Sequence, residues 1–85
     1  MRQFTYTIQA PGGIHAVPAS LLARQAKRYT SFITIAKDTA ETDITNLLKV
    51  MSMSVMQGDT VTVCAEGEDE EAAVDGMEDF FRRYL

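Results

Sequence analysis

The only histidine of the chain, His15, lies between two glycines and a proline in the segment PGGIHAVPAS, residues 11–20. Pro18 favours a helix that starts beside the histidine, because proline is tolerated in the first turn, where its missing N–H has no partner. The free N–H groups of Ala16 and Val17 then face the same space as the His15 ring, at the positive helix end. A neutral imidazole can attack phosphorus, and the helix end can hold the phosphoryl charge. The segment therefore indicates phosphohistidine chemistry, with a histidine that merely fills a turn as the alternative.

The elements that must position this histidine are predicted by the spacing of apolar residues. Alternating patterns predict strands over residues 2–9, 31–37 and 60–67, and a weaker extended piece from Glu41 to Ile44. Helical spacing predicts three helices, the first from Ala16 to Tyr29, the second over 47–56 with Asn46 as its N-cap, and the third over 68–85.

The last helix carries a predicted buried stripe and one predicted weak point. Its stripe consists of Val74, Met77, Phe81 and Tyr84. Gly76 is expected to weaken the helix by about 1 kcal/mol relative to alanine. The order βαββαβα, with strands that have one polar face, predicts an α+β open-faced sandwich. We expect a four-stranded antiparallel sheet with three helices on one face, formed as a single domain over residues 1–85.

Composition narrows the class of protein. The 85 residues suffice for one domain, and 46% apolar with 24% charged residues is typical of an ordinary globular protein. The net charge of −4 argues against nucleic acid as a partner, which requires an excess of Lys and Arg. The chain shows neither a signal-peptide pattern nor an apolar run of membrane-spanning length, so we expect a cytoplasmic protein without membrane insertion.

Two further groups of residues are predicted to bind no metal. Cys64 is the only cysteine and cannot form an internal disulfide, so it is interpreted as a free thiol in a reducing compartment. The acidic run from Glu66 to Glu71 lacks the ligand spacing of a calcium loop, and it fits the start of a helix better.

The segment GIHAVPAS resembles the active-site sequence of the HPr family, the histidine-containing phosphocarriers of the bacterial phosphoenolpyruvate:sugar phosphotransferase system. The usual form of that motif is G-[IL]-H-A-R-P-A. Residues 50–63, VMSMSVMQGDTVTV, resemble the second helix and following strand of the family, and residues 65–81, AEGEDEEAAVDGMEDFF, resemble its acidic third helix.

The resemblance implies both the βαββαβα fold and a function. His15 would accept a phosphoryl group from enzyme I and pass it to sugar-specific transporter components, with the amides of Ala16 and Val17 as the phosphate-binding groups. No cofactor is implied. The protein would be a stoichiometric carrier in a phosphotransferase relay rather than an enzyme.

The chain departs from the family motif at Val17, where the motif has arginine. A guanidinium can bind phosphate through two charge-assisted hydrogen bonds. The loss of about 1.5–3 kcal/mol from such bonds predicts transfer or docking that is roughly ten- to a hundredfold weaker. The alternative is an HPr-like regulatory or binding module with weakened or repurposed phosphotransfer.

A second departure is at Asn46, in the position of the serine that many Gram-positive members phosphorylate for regulation. Asparagine caps a helix as well as serine does, but it accepts no phosphate. We therefore expect no serine-type regulation at this position, and the adjacent Thr45 is one residue away from it.

The resemblance also predicts a docking surface for partner proteins. Leu47, Leu48 and Met51 match an exposed apolar patch of the family, although a Leu/Met stripe on a short helix is equally typical of a core. The interface would include Ser20, Arg24 and Lys27 on the first helix, with an ordinary solvated helix face as the alternative. We expect a monomer; a third hypothesis is oligomeric assembly through Cys64 or Phe32 on an exposed sheet face.

Overall fold

The computed structural model describes residues 1–85, and its seven elements follow the predicted order βαββαβα. Their bounds are β1 (Arg2–Thr7), α1 (Ala16–Ala26), β2 (Phe32–Lys37), β3 (Ala40–Asp43), α2 (Leu47–Ser52), β4 (Thr60–Glu66) and α3 (Glu70–Tyr84).

The four strands form one sheet in the order β1-β4-β2-β3, and every pair is antiparallel. Val63 of the central strand β4 lies opposite Phe4 on one side and Ile35 on the other. These three side chains point into the core, whereas Phe32 on the opposite face of the sheet is 58% exposed. The predicted open-faced sandwich, with helices on one face of the sheet, is therefore confirmed.

The three helices pack on the inner face of the sheet and bury one stripe each. Leu22 of α1, Val50 of α2 and Met77 of α3 are completely buried. Phe81 of α3 meets the rings of Phe4 and Tyr6 edge to face, each at a centroid distance of 5.6 Å. α1 lies against both α2 and α3.

The second helix ends earlier than the apolar pattern predicts, at Ser52 rather than at residue 56. Ser54 has a φ of +52°, a left-handed conformation that cannot continue a right-handed helix. The chain turns there and buries Val55 in the core. The apolar residues after Ser52 thus belong to a connection that packs like a core element.

Four other predictions about element ends or burial are wrong. α1 ends at Ala26 rather than at Tyr29, since Lys27 is its C-cap. β1 ends at Thr7 rather than at residue 9, because the N–H groups of Gln9 and Ala10 turn away from β4 and bond to the Leu85 carbonyl. α3 starts at Glu70 rather than at residue 68. Tyr84 is 56% exposed because its ring lies 4.6 Å from that of Phe80 on the outer side of α3, and Leu85 fills the core position instead.

Candidate functional site

His15 is the N-cap residue of α1 and has an extended backbone, with φ −94° and ψ −168°. Its side chain is exposed and makes no capping hydrogen bond, so the ring is not used to stabilise the helix. The edge of the ring that carries Cδ2 and Nε2 lies against Gly12, where an added Cβ would stand 3.1 Å and 3.3 Å from these atoms. Glycine at position 12 therefore permits this placement, which leaves the opposite edge, with Nδ1, directed away from Gly12.

The first turn of α1 leaves backbone donors beside this ring. The first helical hydrogen bond runs from the Ala19 N–H to the His15 carbonyl at 3.0 Å. Ala16 and Val17 precede it and have no carbonyl one turn earlier to bind, and Pro18 has no N–H. The two amides are thus the donors that an anion at the helix end would meet.

The loop before the histidine is fixed by the connection between α2 and β4. Gly13 has a φ of +64°, and a Cβ at this position would collide with the carbonyl oxygen of Val55. The next amide, of Ile14, donates to that same carbonyl at 2.9 Å, and the Ile14 side chain is buried. A positive φ and a close backbone approach both require glycine here. The backbone of Val55 therefore sets the position of the residue that precedes His15.

Val17 stands exposed beside the histidine, with 63% of its surface accessible. Arg24 follows it by seven residues, and Lys27 follows Ser20 by the same interval, so each pair lies on one side of the helix. Neither Arg24 nor Lys27 takes part in an ion pair, and Ser20 is exposed as well. The structure thus places all three predicted interface residues of α1 at the surface.

The predicted apolar patch on α2 lies at the surface too. Leu48 is 77% exposed and Leu47 and Met51 are each 38% exposed, whereas Val50 of the same helix is completely buried. The alternative that Leu47, Leu48 and Met51 belong to the core is therefore wrong. Asn46 caps the helix as predicted, with its side-chain oxygen accepting the Lys49 N–H at 3.2 Å.

Around His15 the surface has no cavity. The three hollows of the molecule have volumes of about 210 to 280 Å³, and none of them is lined by His15. No three His, Cys, Asp or Glu side chains are grouped to hold a metal ion. None of the helices has the length and apolar character needed to cross a bilayer. The geometry suits a reaction in which a partner protein covers the histidine.

A family model described as "PTS HPr component phosphorylation site" matches residues 2–83. The chain belongs to the HPr family. The phosphocarrier protein HPr of Buchnera aphidicola subsp. Acyrthosiphon pisum is 36% identical to it over 77 residues, which cover 91% of each chain.

Two solved structures from Thermoanaerobacter tengcongensis show the same HPr fold. HPr-C-His has a TM-score of 0.91 at 34% identity and covers 96% of this chain and 92% of its own. An HPr dimer has a TM-score of 0.77 at 34% identity and covers 98% of this chain and 95% of its own. The predicted family is confirmed, and so is the general function of a phosphocarrier in a phosphotransferase system.

The predictions from sequence did not include the residues that support the histidine loop from the connection between α2 and β4. The backbone of Val55 contacts Gly13 and Ile14 of the histidine loop, and Lys37 binds the neighbouring Ser54 carbonyl and Asp59. Hydrogen bonds to backbone carbonyls leave no pattern of residue types along the chain. The one signal in the sequence is the turn-forming segment QGD at residues 57–59, which contains Asp59.

Proposed function

We propose that His15 accepts a phosphoryl group from enzyme I on Nδ1 and passes it to sugar-specific transporter components. The observation that carries this assignment is the exposed ring at the N-cap of α1, which has no capping role and stands beside the free amides of Ala16 and Val17. The contact of the Cδ2–Nε2 edge with Gly12 supports Nδ1 as the reacting atom.

The transfer is a substitution at phosphorus. The lone pair of neutral Nδ1 attacks the phosphoryl group of phosphorylated enzyme I and forms the N–P bond. The bond between phosphorus and the donor atom breaks, and its electron pair stays on the donor. The phosphoryl oxygens then accept hydrogen bonds from the Ala16 and Val17 amides, at the positive end of α1. Attack by an acceptor group of the transporter component on the same phosphorus returns the electron pair to Nδ1.

Partner proteins would dock on the surface beside the histidine. The exposed side chains of Leu47, Leu48 and Met51 supply apolar area, and a partner that covers them also excludes water from the transfer. Ser20, Arg24 and Lys27 would form a polar, cationic rim, which favours acidic groups on the partner.

We further propose that the chain acts as a single-domain monomer in the cytoplasm. A monomer leaves both the docking patch and His15 free for successive partners. Sedimentation equilibrium at micromolar concentration should give the mass of one chain, and a stable dimer would contradict this part of the proposal.

Phosphorylation with the cognate donor tests the central assignment. Incubation with enzyme I and phosphoenolpyruvate should add one acid-labile phosphoryl group, and mass spectrometry should locate it on His15. The His15→Gln variant should stay unlabelled and keep its thermal stability, because the exposed ring makes no hydrogen bond in the structure. A wild-type chain that takes no label, or a label that persists in His15→Gln, would refute the assignment.

A further inference from the structure

Lys37, at the end of β2, reaches across to the connection between α2 and β4. Its ammonium donates to the carbonyl of Ser54 at 3.0 Å and to that of Met53 at 3.3 Å. It also forms an ion pair with Asp59 Oδ2 at 3.0 Å, with side-chain exposures of only 21% for Lys37 and 34% for Asp59. One cation therefore joins three acceptors of a single segment, residues 53–59.

Asp59 closes the same segment from its other end. Its Oδ2 accepts the Met56 N–H at 2.9 Å while it binds the ammonium of Lys37. The Met56 N–H, and next to it Lys37, lower the pKa of the Asp59 carboxyl below its ordinary 3.8, so the group is ionised at neutral pH. Segment 53–59 is thus held at both ends by one ion pair.

This support matters because the segment contains an unfavourable backbone conformation. Ser54 has a φ of +52°, a strained region that residues other than glycine rarely occupy. The carbonyls of Met53 and Ser54 lie just past the C-terminal end of α2, where cations are favourable. Lys37 is the residue that satisfies these carbonyls and so stabilises the turn.

The turn at Ser54 is directly followed by the atoms that position the histidine loop. The Val55 carbonyl receives the Ile14 N–H at 2.9 Å, and the backbone of Val55 and Met56 fills the space beside Gly13. A shift of the turn would move the Val55 carbonyl, and with it Ile14 and the start of α1. The contact chain from Lys37 to His15 has no flexible side chain between Ser54 and Ile14.

We infer that Lys37 and Asp59 are positioning residues for phosphoryl transfer, which hold segment 53–59 so that His15 and the amides of Ala16 and Val17 keep their reactive arrangement. The inference rests on the proposed function. An ordinary surface ion pair would contribute little and would leave the transfer rate unchanged.

Steady-state transfer from phosphorylated enzyme I separates the two roles. Lys37→Met keeps most of the stem and removes the charge, and we expect the kcat to fall roughly three- to tenfold as the histidine loop loses its alignment. The KM of enzyme I for the carrier should stay unchanged, because the docking patch on α2 is not altered by the substitution. Asp59→Asn should act in the same direction, and Lys37→Arg should restore most of the rate. Arg83→Met removes an exposed ion pair with Asp79 on α3 and is the matched control.

A second substitution tests the route through Ser54. Glycine adopts a positive φ without strain, so Ser54→Gly should restore the rate of Lys37→Met while having little effect in the wild-type background. Amide exchange gives a readout that needs no phosphorylation. The Ile14 N–H should exchange at least about tenfold faster in Lys37→Met than in the wild type, because its bond to Val55 opens more often. It should be unaffected in Arg83→Met.

The outcomes distinguish this inference from the proposed function. A wild-type chain without phosphoryl transfer would refute the proposed function. Normal labelling of His15 combined with an unchanged kcat in Lys37→Met and Asp59→Asn would refute the inference alone. Unchanged Ile14 exchange in Lys37→Met, or a failure of Ser54→Gly to rescue it, would refute the route through segment 53–59.

Discussion

The hydroxyl of Tyr29, just beyond α1, occupies the space in which a side chain at position 76 of α3 would stand, and Gly76 leaves room for it. A Cβ at this position would collide with the hydroxyl oxygen and come within 2.8 Å of Cζ. Gly76 therefore permits the close packing of α1 against α3. Judged by helix propensity alone, Gly76 would only destabilise α3, but its contact with Tyr29 requires a residue without a side chain.

We expect Gly76→Ala to destabilise the protein by up to about 2 kcal/mol, because an overpacking cost of about 1–3 kcal/mol exceeds the propensity gain of about 1 kcal/mol. In a Tyr29→Ala background the ring is absent, and the same substitution should become stabilising. Urea denaturation of the four proteins in this double-mutant cycle measures the coupling. A gain in stability from Gly76→Ala in the wild-type background would show that Tyr29 moves aside without cost.

The fold could be predicted from sequence where burial leaves a periodic trace. Ile33 and Ile35 of β2 are two apart and share the buried face of the strand, and the His15 motif, with Pro18 in the first turn, is local in the chain. The ends of elements could not be predicted in the same way. Helix α2 stops because of a left-handed residue at Ser54, and the apolar run continues past that point.

The candidate site also contains residues that could be predicted from the sequence and residues that could not. Residues recognised by type and neighbourhood, such as His15 and Asn46, stand where the sequence predicts them. Lys37 and Asp59 act on backbone carbonyls and amides of a segment that is distant in sequence from His15. Backbone groups are the same in every residue, so such contacts leave no mark in the amino-acid sequence.

We expect Val17 to limit the strength with which the site binds the phosphoryl group. Val17→Arg should raise the kcat/KM for transfer from enzyme I by about ten- to a hundredfold, because a guanidinium at this exposed position can form charge-assisted hydrogen bonds to the phosphoryl oxygens. Val17→Met introduces an uncharged side chain that is closer to arginine in length, and it should leave the rate near that of the wild type. The measurement is the initial rate of phosphorylation by a catalytic amount of enzyme I at several concentrations of the carrier. An absence of gain in Val17→Arg would indicate a donor whose surface is matched to an apolar residue.

Neighbouring residues of α2 should separate docking from folding. Leu48→Gln should raise the KM of enzyme I for the carrier roughly tenfold. The free energy of unfolding should change by less than about 0.5 kcal/mol, because the side chain is exposed. Val50→Ala should lower the free energy of unfolding by about 1–3 kcal/mol, because it removes completely buried methyl groups, with little effect on the KM.

Phe32→Gln provides the control for the docking measurement, because it removes an exposed apolar side chain on the uncovered face of the sheet. The KM of enzyme I for this variant should equal its KM for the wild-type carrier. Equal KM values for Leu48→Gln and the wild type would exclude Leu48 from the docking surface.

Asp69 should make the fold sensitive to acid. Its carboxylate accepts the Thr30 N–H at 2.8 Å and both the N–H and the hydroxyl of Ser31, at 2.9 and 2.5 Å, and so ties the start of β2 to that of α3. The Ser31 hydroxyl, followed by the Thr30 amide, holds the pKa of Asp69 below its ordinary 3.8. The folded state therefore binds this proton less tightly than the unfolded state, and the stabilisation is complete above pH 3.8 and is lost as the pH falls through the lower folded value.

Asp69→Asn should lower the thermal midpoint at neutral pH, and its difference from the wild type should shrink as acid protonates Asp69. Asp75→Asn, which changes an exposed carboxylate of the same helix without such bonds, supplies the baseline for thermal unfolding measured across this pH range. A difference between Asp69→Asn and the wild type that stays constant down to the lowest pH would contradict this assignment.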